Sequence, residues 1–129
     1  MDNDKVKLII VEDTVLVRLH LSSIAKQMGY DVVANFSSGE DVINFLNEHI
    51  DNECDCILMD IMLEGDLDGI ETAKIINEDH DIPIIYMSAL SDLETLSRAD
   101  KTNSFKYIVK PFKEDEVKET IESCVAKLK

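Results

Sequence analysis

A doubly wound α/β domain built on a five-stranded parallel sheet is what this sequence predicts, and three observations predict it. Short apolar runs rich in branched side chains recur five times along 129 residues. Segments with apolar residues at helical spacing stand between them. The two kinds of segment alternate without a linker, a repeat or a low-complexity tract, which is the pattern of strands covered on both faces by helices. Each strand-to-strand crossover is then expected to be right-handed.

Lys7-Leu8-Ile9-Ile10-Val11 reads as a buried first strand and ends in Glu12-Asp13. Val17, Leu21, Ile24 and Met28 mark one face of a first helix, which Gly29 closes as a C-terminal glycine. A second strand follows over 31–36. Ser37 with Glu40 has the spacing of a capping box for a second helix bearing Val42, Phe45, Leu46 and His49. Cys56-Ile57-Leu58-Met59-Asp60 is the third strand, and Asp68 with Glu71 caps a third helix running to about Asp79. Ile82 to Met87 is the fourth strand, with Pro83 tolerable at its start, and it ends in Ser88. Ser91 and Glu94 cap a short fourth helix carrying Leu93, Leu96 and Ala99. Phe105 to Val109 is the fifth strand, ending in Lys110-Pro111, and Val117, Ile121, Cys124 and Leu128 stripe the last helix.

The bulk numbers narrow the class of function. A single domain over residues 1–129, with no output domain, is expected, and it is large enough for a real core. Thirteen basic residues against 27 acidic ones give −14, which argues against binding nucleic acid or an anionic membrane surface. No apolar run approaches the ~20 residues of a membrane span, and the N-terminus lacks a signal-peptide segment, so a cytoplasmic location is expected. Three cysteines fit a reducing compartment, with Cys56 and Cys124 as core thiols rather than metal ligands.

In open parallel sheets, ligands bind beyond the carboxyl ends of the strands. Four of the five strands end there in reactive side chains: Glu12-Asp13, Asp60, Ser88 and Lys110. Polar residues naturally follow buried strands, yet three carboxylates, a hydroxyl and an ammonium at one edge are complementary. Carboxylates and lysine sum to −2, and two like charges ~4 Å apart repel by roughly 4 kcal/mol at an effective dielectric of 20. A hard divalent cation relieves that repulsion, and magnesium suits a few carboxylates together with water and phosphate. The constellation therefore reads as a Mg²⁺ (or Mn²⁺) site beside a nucleophilic carboxylate, with Ser88 and Lys110 free to hold phosphoryl oxygens.

With these residues in view, the chain resembles, along nearly its whole length, a receiver domain of the two-component response regulators. Glu12-Asp13, Met59-Asp60, Asp68-Gly69, Met87-Ser88-Ala89 and Tyr107-Ile108-Val109-Lys110-Pro111-Phe112 carry the resemblance in order. It implies a flavodoxin-like sheet of order 2-1-3-4-5, with the Asp13 and Asp60 strands flanking the switch point. It implies Asp60 as phosphoacceptor, taking the group from a phosphohistidine of a sensor histidine kinase or phosphotransfer protein. Asp13, Asp60 and the Met62 backbone carbonyl would hold Mg²⁺, with Glu12 acting mostly through water. Lys110 would pair with the phosphoryl group, and its bond to Pro111 would be cis. Ser88 would swing toward the phosphoryl oxygen and Tyr107 would turn inward, carrying the signal to the face of the fourth helix, fifth strand and fifth helix. The reader there would be a downstream effector or an attached output domain, and whether phosphorylation dimerises the domain is left open.

The loop after Asp60 departs from the commonest family pattern. It lacks a proline and is one residue longer, resembling receivers attached to sensory kinases. Apolar Met62 and Leu90, each two residues past a site residue, are expected to hinder attacking water and lengthen the life of the phosphate. Val15 and Leu19, opposite the core stripe of the first helix, are expected to form a docking patch for a kinase helix pair. A pseudo-receiver used only for protein binding would lack part of the acidic pocket. An aspartate-based phosphohydrolase would want a second acid where Met62 stands, and a flavin carrier would want a phosphate loop and stacking aromatics. The domain is expected to act on itself alone, as a switch and not an enzyme.

Overall fold

The computed structural model describes residues 5–48, 54–63, 65–89 and 104–127. In chain order these form β1 (Lys7–Val11), α1 (Val15–Gln27), β2 (Asp31–Phe36), α2 (Gly39–Glu48), β3 (Cys56–Asp60) and α3 (Gly69–Asp79). β4 (Ile84–Ala89), β5 (Ser104–Lys110) and α4 (Glu114–Lys127) complete them. All five strands are parallel neighbours in one sheet of order β2-β1-β3-β4-β5, the expected doubly wound, flavodoxin-like topology.

The strand composition follows from having helices on both faces. Successive side chains of a strand point to opposite faces. Leu8, Ile10, Cys56, Leu58, Ile85 and Met87 pack with Leu21 and Ile24 of α1 and Val117 and Ile121 of α4. The alternate residues Ile9, Val11, Ile57, Met59, Ile84 and Tyr86 pack with Val42 and Leu46 of α2 and Ile70, Ala73 and Ile76 of α3. A central strand must then be apolar at every position. Burying each large side chain contributes about 1.5–3 kcal/mol, and the apolar run stops only where the helices cease to cover it.

The ends of the elements are set locally. α1 closes with Gly29 at φ +80, where Tyr30 N donates to Ala25 O and Gly29 N to Lys26 O, both at 3.0 Å. α3 opens with the expected capping box: Glu71 N donates to Asp68 Oδ1 at 2.8 Å, and Asp68 N to Glu71 Oε1 at 3.0 Å.

Three expectations are corrected. The Ser37–Glu40 capping box does not form: Ser38 Oγ accepts from Asp41 N at 3.2 Å, and the Glu40 carboxylate reaches the β3–α3 loop. The fourth strand runs over Ile84–Ala89 and not 82–87. Pro83 has no N–H for the ladder, so only its carbonyl takes part, accepting from Ile57 N at 3.1 Å. At the other end Ala89 pairs with Lys110, so Ser88 lies within the strand and Lys110 is the last residue of β5. The fourth helix expected over 91–99, together with Leu90, His49 and Leu128, lies outside the described residues.

Cys56 and Cys124 are buried core thiols with their sulfurs 3.7 Å apart. Their mutual hydrogen bond and burial push the Cys56 thiol well above its ordinary range. Burial pushes Cys54 up to about 12, and its Sγ donates to Cys56 O at 3.2 Å. Both shifts favour the neutral thiol over the thiolate, the form that binds metal. Among the described residues, no helix is long and apolar enough to cross a membrane.

Candidate functional site

Sheet order brings the strand ends together. β1 and β3 are adjacent at the centre, so Glu12 and Asp13, just past β1, come beside Asp60, the last residue of β3. One ligand oxygen from each of the three carboxylates lies within 4.8 Å of the others. Glu12 is fully buried, Asp60 nearly so and Asp13 half-buried. β5 lies two strands from β3, and the long Lys110 side chain spans that gap. Its Nζ donates to Asp60 Oδ2 at 3.0 Å and to Glu12 Oε1 at 2.8 Å.

Backbone groups fix the rest. Asp60 Oδ1 accepts from Met62 N at 3.2 Å, so the loop after β3 starts by folding over the carboxylate. Ile61 N continues the ladder to Met87 O at 2.9 Å, and Gly69 N donates to Ile61 O at 2.7 Å. A Cβ on Gly69 would collide with the Asp60 carbonyl, which makes glycine obligatory where α3 begins. Glu12 Oε2 accepts from Thr14 N at 2.9 Å, and Arg18 Nη1 donates to the Glu12 carbonyl at 2.6 Å. Thr14 and Arg18 carried no signal in the sequence reading, because their roles follow from how α1 leaves β1.

Burial works against the charge on Lys110, but its hydrogen bonds to Glu12 and Asp60 and their negative charges outweigh it. Its pKa is held above the ordinary lysine range. Lys110 meets two of the three carboxylates, and negative charge gathered this closely favours a further cation. Oxygen donors, small separation and an edge open to water fit a hard ion such as Mg²⁺.

The remaining site residues are placed as follows. Ser88 sits half-buried near the end of β4, next to the Met87 that pairs with Asp60, and its Oγ donates to Ala89 O at 3.0 Å. Tyr107 is half-buried on β5 and stacks on the buried Tyr86, with ring centroids 6.2 Å apart. The Met62 side chain is 67% exposed. The Lys110–Pro111 peptide is cis. Val15 and Leu19 are exposed on α1, with Leu16 between them at 78%. His20 stacks on Phe112, centroids 5.6 Å apart, and its Nε2 lies 3.6 Å from Glu114 Oε2.

Comparison with known proteins agrees with this geometry. The family described as the response regulator receiver domain matches residues 8–122. The transcriptional regulatory protein PdtaR of Mycobacterium tuberculosis is 27% identical over 123 residues, covering 95% of this chain and 58% of that protein. The transcriptional regulatory protein ZraR of Salmonella typhimurium is 32% identical over 127 residues, covering 98% of this chain and 28% of that protein. This chain thus spans 58% or 28% of the length of these relatives. The crystal structure of the signal receiver domain of a modulated diguanylate cyclase from Desulfovibrio desulfuricans superposes with a TM-score of 0.86 at 35% identity, covering 96% of each chain.

Proposed function

The chain belongs to the response regulator receiver domain family, and on that premise we propose that it is a phosphorelay switch with Asp60 as phosphoacceptor. The observation that carries this reading is the Asp60 carboxylate, held at the mouth of an acidic notch with Lys110 Nζ 3.0 Å from its Oδ2. An Asp60 oxygen attacks the phosphorus of a phosphohistidine on a sensor kinase or phosphotransfer protein. The N–P bond breaks, the imidazole leaves, and Asp60 becomes an acyl phosphate.

The side chains around it have definite work. Lys110 exchanges part of its bonding from the Asp60 carboxylate to the incoming phosphoryl oxygens, which keeps positive charge on the group as negative charge builds. Asp13, Asp60 and the Met62 carbonyl, with Glu12 through water, would hold Mg²⁺. Bound there, the ion supplies neutralisation of the carboxylates and of the phosphoryl oxygens. Ser88 would turn its hydroxyl from the Ala89 carbonyl toward the phosphate. Tyr107, on the strand that carries Lys110, turns further inward behind it. The change is read on the face that includes β5 and α4 by an effector or an attached output domain.

The exposed apolar side chains Val15, Leu16 and Leu19 are the docking patch for the kinase helices. The domain acts in the cytoplasm and turns over no external substrate. Treatment with acetyl phosphate or beryllofluoride plus Mg²⁺ tests the reading. With acetyl phosphate wild type gains one phosphoryl group by mass, and with either reagent it shows a spectroscopic change, whereas Asp60→Asn shows neither. Equal modification of the two proteins would refute it.

A further inference from the structure

The lengthened loop between β3 and α3 is held by a residue of α2. Glu40 stands in the first turn of α2, and its Oε2 accepts from Asp66 N at 3.3 Å. Gly65 has φ +101 and leaves room for the same carboxylate: a Cβ there would lie 3.3 Å from Oε2 and 3.5 Å from Oε1. Glu40 Oε1 is buried without a hydrogen-bond partner. A sequestered carboxylate oxygen left unsatisfied is costly. The hydrogen bond that this carboxylate accepts comes from the loop, through Asp66 N.

The same loop begins at the phosphoacceptor. Met62 N is bonded to Asp60 Oδ1, and the loop's far end returns through Gly69 N to Ile61 O. It is pinned at both ends beside Asp60, and in the middle by Glu40. We propose that Glu40 is a positioning residue for the cation. By holding Gly65 and Asp66 it fixes the backbone that presents Met62 at the acidic notch, and so sets the affinity of the notch for Mg²⁺. The inference rests on the function proposed above. Glu40 touches no carboxylate of the notch among its described contacts, so its effect runs through the loop backbone.

The contact asks for an oxygen acceptor and not for a charge, which makes it testable. Glutamine at position 40 keeps a carbonyl oxygen for Asp66 N, and alanine does not. The full chain is titrated with Mg²⁺, following backbone amide resonances, as wild type, Glu40→Ala and Glu40→Gln. Amide exchange at Asp66 is measured on the metal-free proteins. Glu40→Ala should weaken Mg²⁺ binding about tenfold, the lower end for an outer-sphere partner, and speed exchange at Asp66. Glu40→Gln should restore both. Unchanged Mg²⁺ affinity in Glu40→Ala overturns the inference, even if exchange at Asp66 accelerates. A loss in Glu40→Gln as large as in Glu40→Ala also overturns it, because it would make charge the cause. A wild type that binds no Mg²⁺ overturns the proposed function and this inference together.

Discussion

Lys110 and Asp60 stand 50 positions apart in the chain, yet Nζ and Oδ2 are 3.0 Å from one another. The same ammonium also meets the fully buried Glu12 at 2.8 Å. Replacing Lys110 with methionine leaves two sheltered carboxylates without their counter-charge, and should cost about 2 kcal/mol of stability in metal-free protein. The pH dependence has a definite sign. The pKa of Lys110 is raised on folding, so its contribution is fully present below the unfolded value of about 10.4 and is lost as pH rises through the folded one. Urea denaturation should show a constant gap between wild type and Lys110→Met from neutral pH to about pH 10, closing at more alkaline pH. A gap that persists unchanged into strong alkali would show that the ammonium is not its source.

Met62 donates its backbone N–H to Asp60 and leaves its side chain largely in solvent. An apolar chain two residues past the phosphoacceptor is expected to hinder an in-line water. Met62→Asn keeps the backbone donor while offering a polar group to that water, and should shorten the life of phospho-Asp60 severalfold. Phosphate release after acetyl phosphate labelling measures it, and an unaltered lifetime would remove Met62 from the account.

Val15 and Leu19 are 55% and 61% exposed on the outer face of α1. A kinase partner is expected to bury them. The double variant Val15→Asp, Leu19→Asp should lose phosphotransfer from a phosphorylated kinase while retaining labelling by acetyl phosphate, because the notch is untouched. Intact transfer from the kinase would place docking elsewhere.

Asp68 and Glu71 cap α3 reciprocally, and Gly69, which lies against the Asp60 backbone, is the first residue of that helix. Asp68→Ala should cost about 1 kcal/mol of stability. A thermal scan on the Asp60→Asn background should show the same loss, since both capping bonds run between Asp68 and Glu71. A markedly different loss there would mean that the two are coupled.

Much of the fold was legible because local periodicity reports burial directly. β1, β2 and β3 fall where the apolar runs stand, α3 begins at its capping box, and α1 ends at Gly29. The acidic notch was legible for the same reason: a run that is apolar on both faces stops where helix cover stops, so the first charged residues after it lie at the rim. The ends of β4 and β5 were not legible. Pro83 cannot enter the ladder as a donor, and pairing of Ala89 with Lys110 carries both strands past the last apolar residue.

The second helix shows the limit plainly. Ser37–Glu40 and Ser38–Asp41 have the same serine-to-acid spacing, and nothing nearby chooses between them. The choice is made by the β3–α3 loop, which engages Glu40 through Asp66 and leaves Ser38 to cap the helix. By itself, then, the sequence determined the order of the described elements, the doubly wound class and which side chains stand at the strand ends, since periodicity and turn residues act within a few positions. Only the tertiary structure decided that Lys110 meets Glu12 from 98 positions away and that Glu40 faces a loop 26 positions ahead. Contacts of that range depend on strand order, register and side-chain reach, which no local pattern carries.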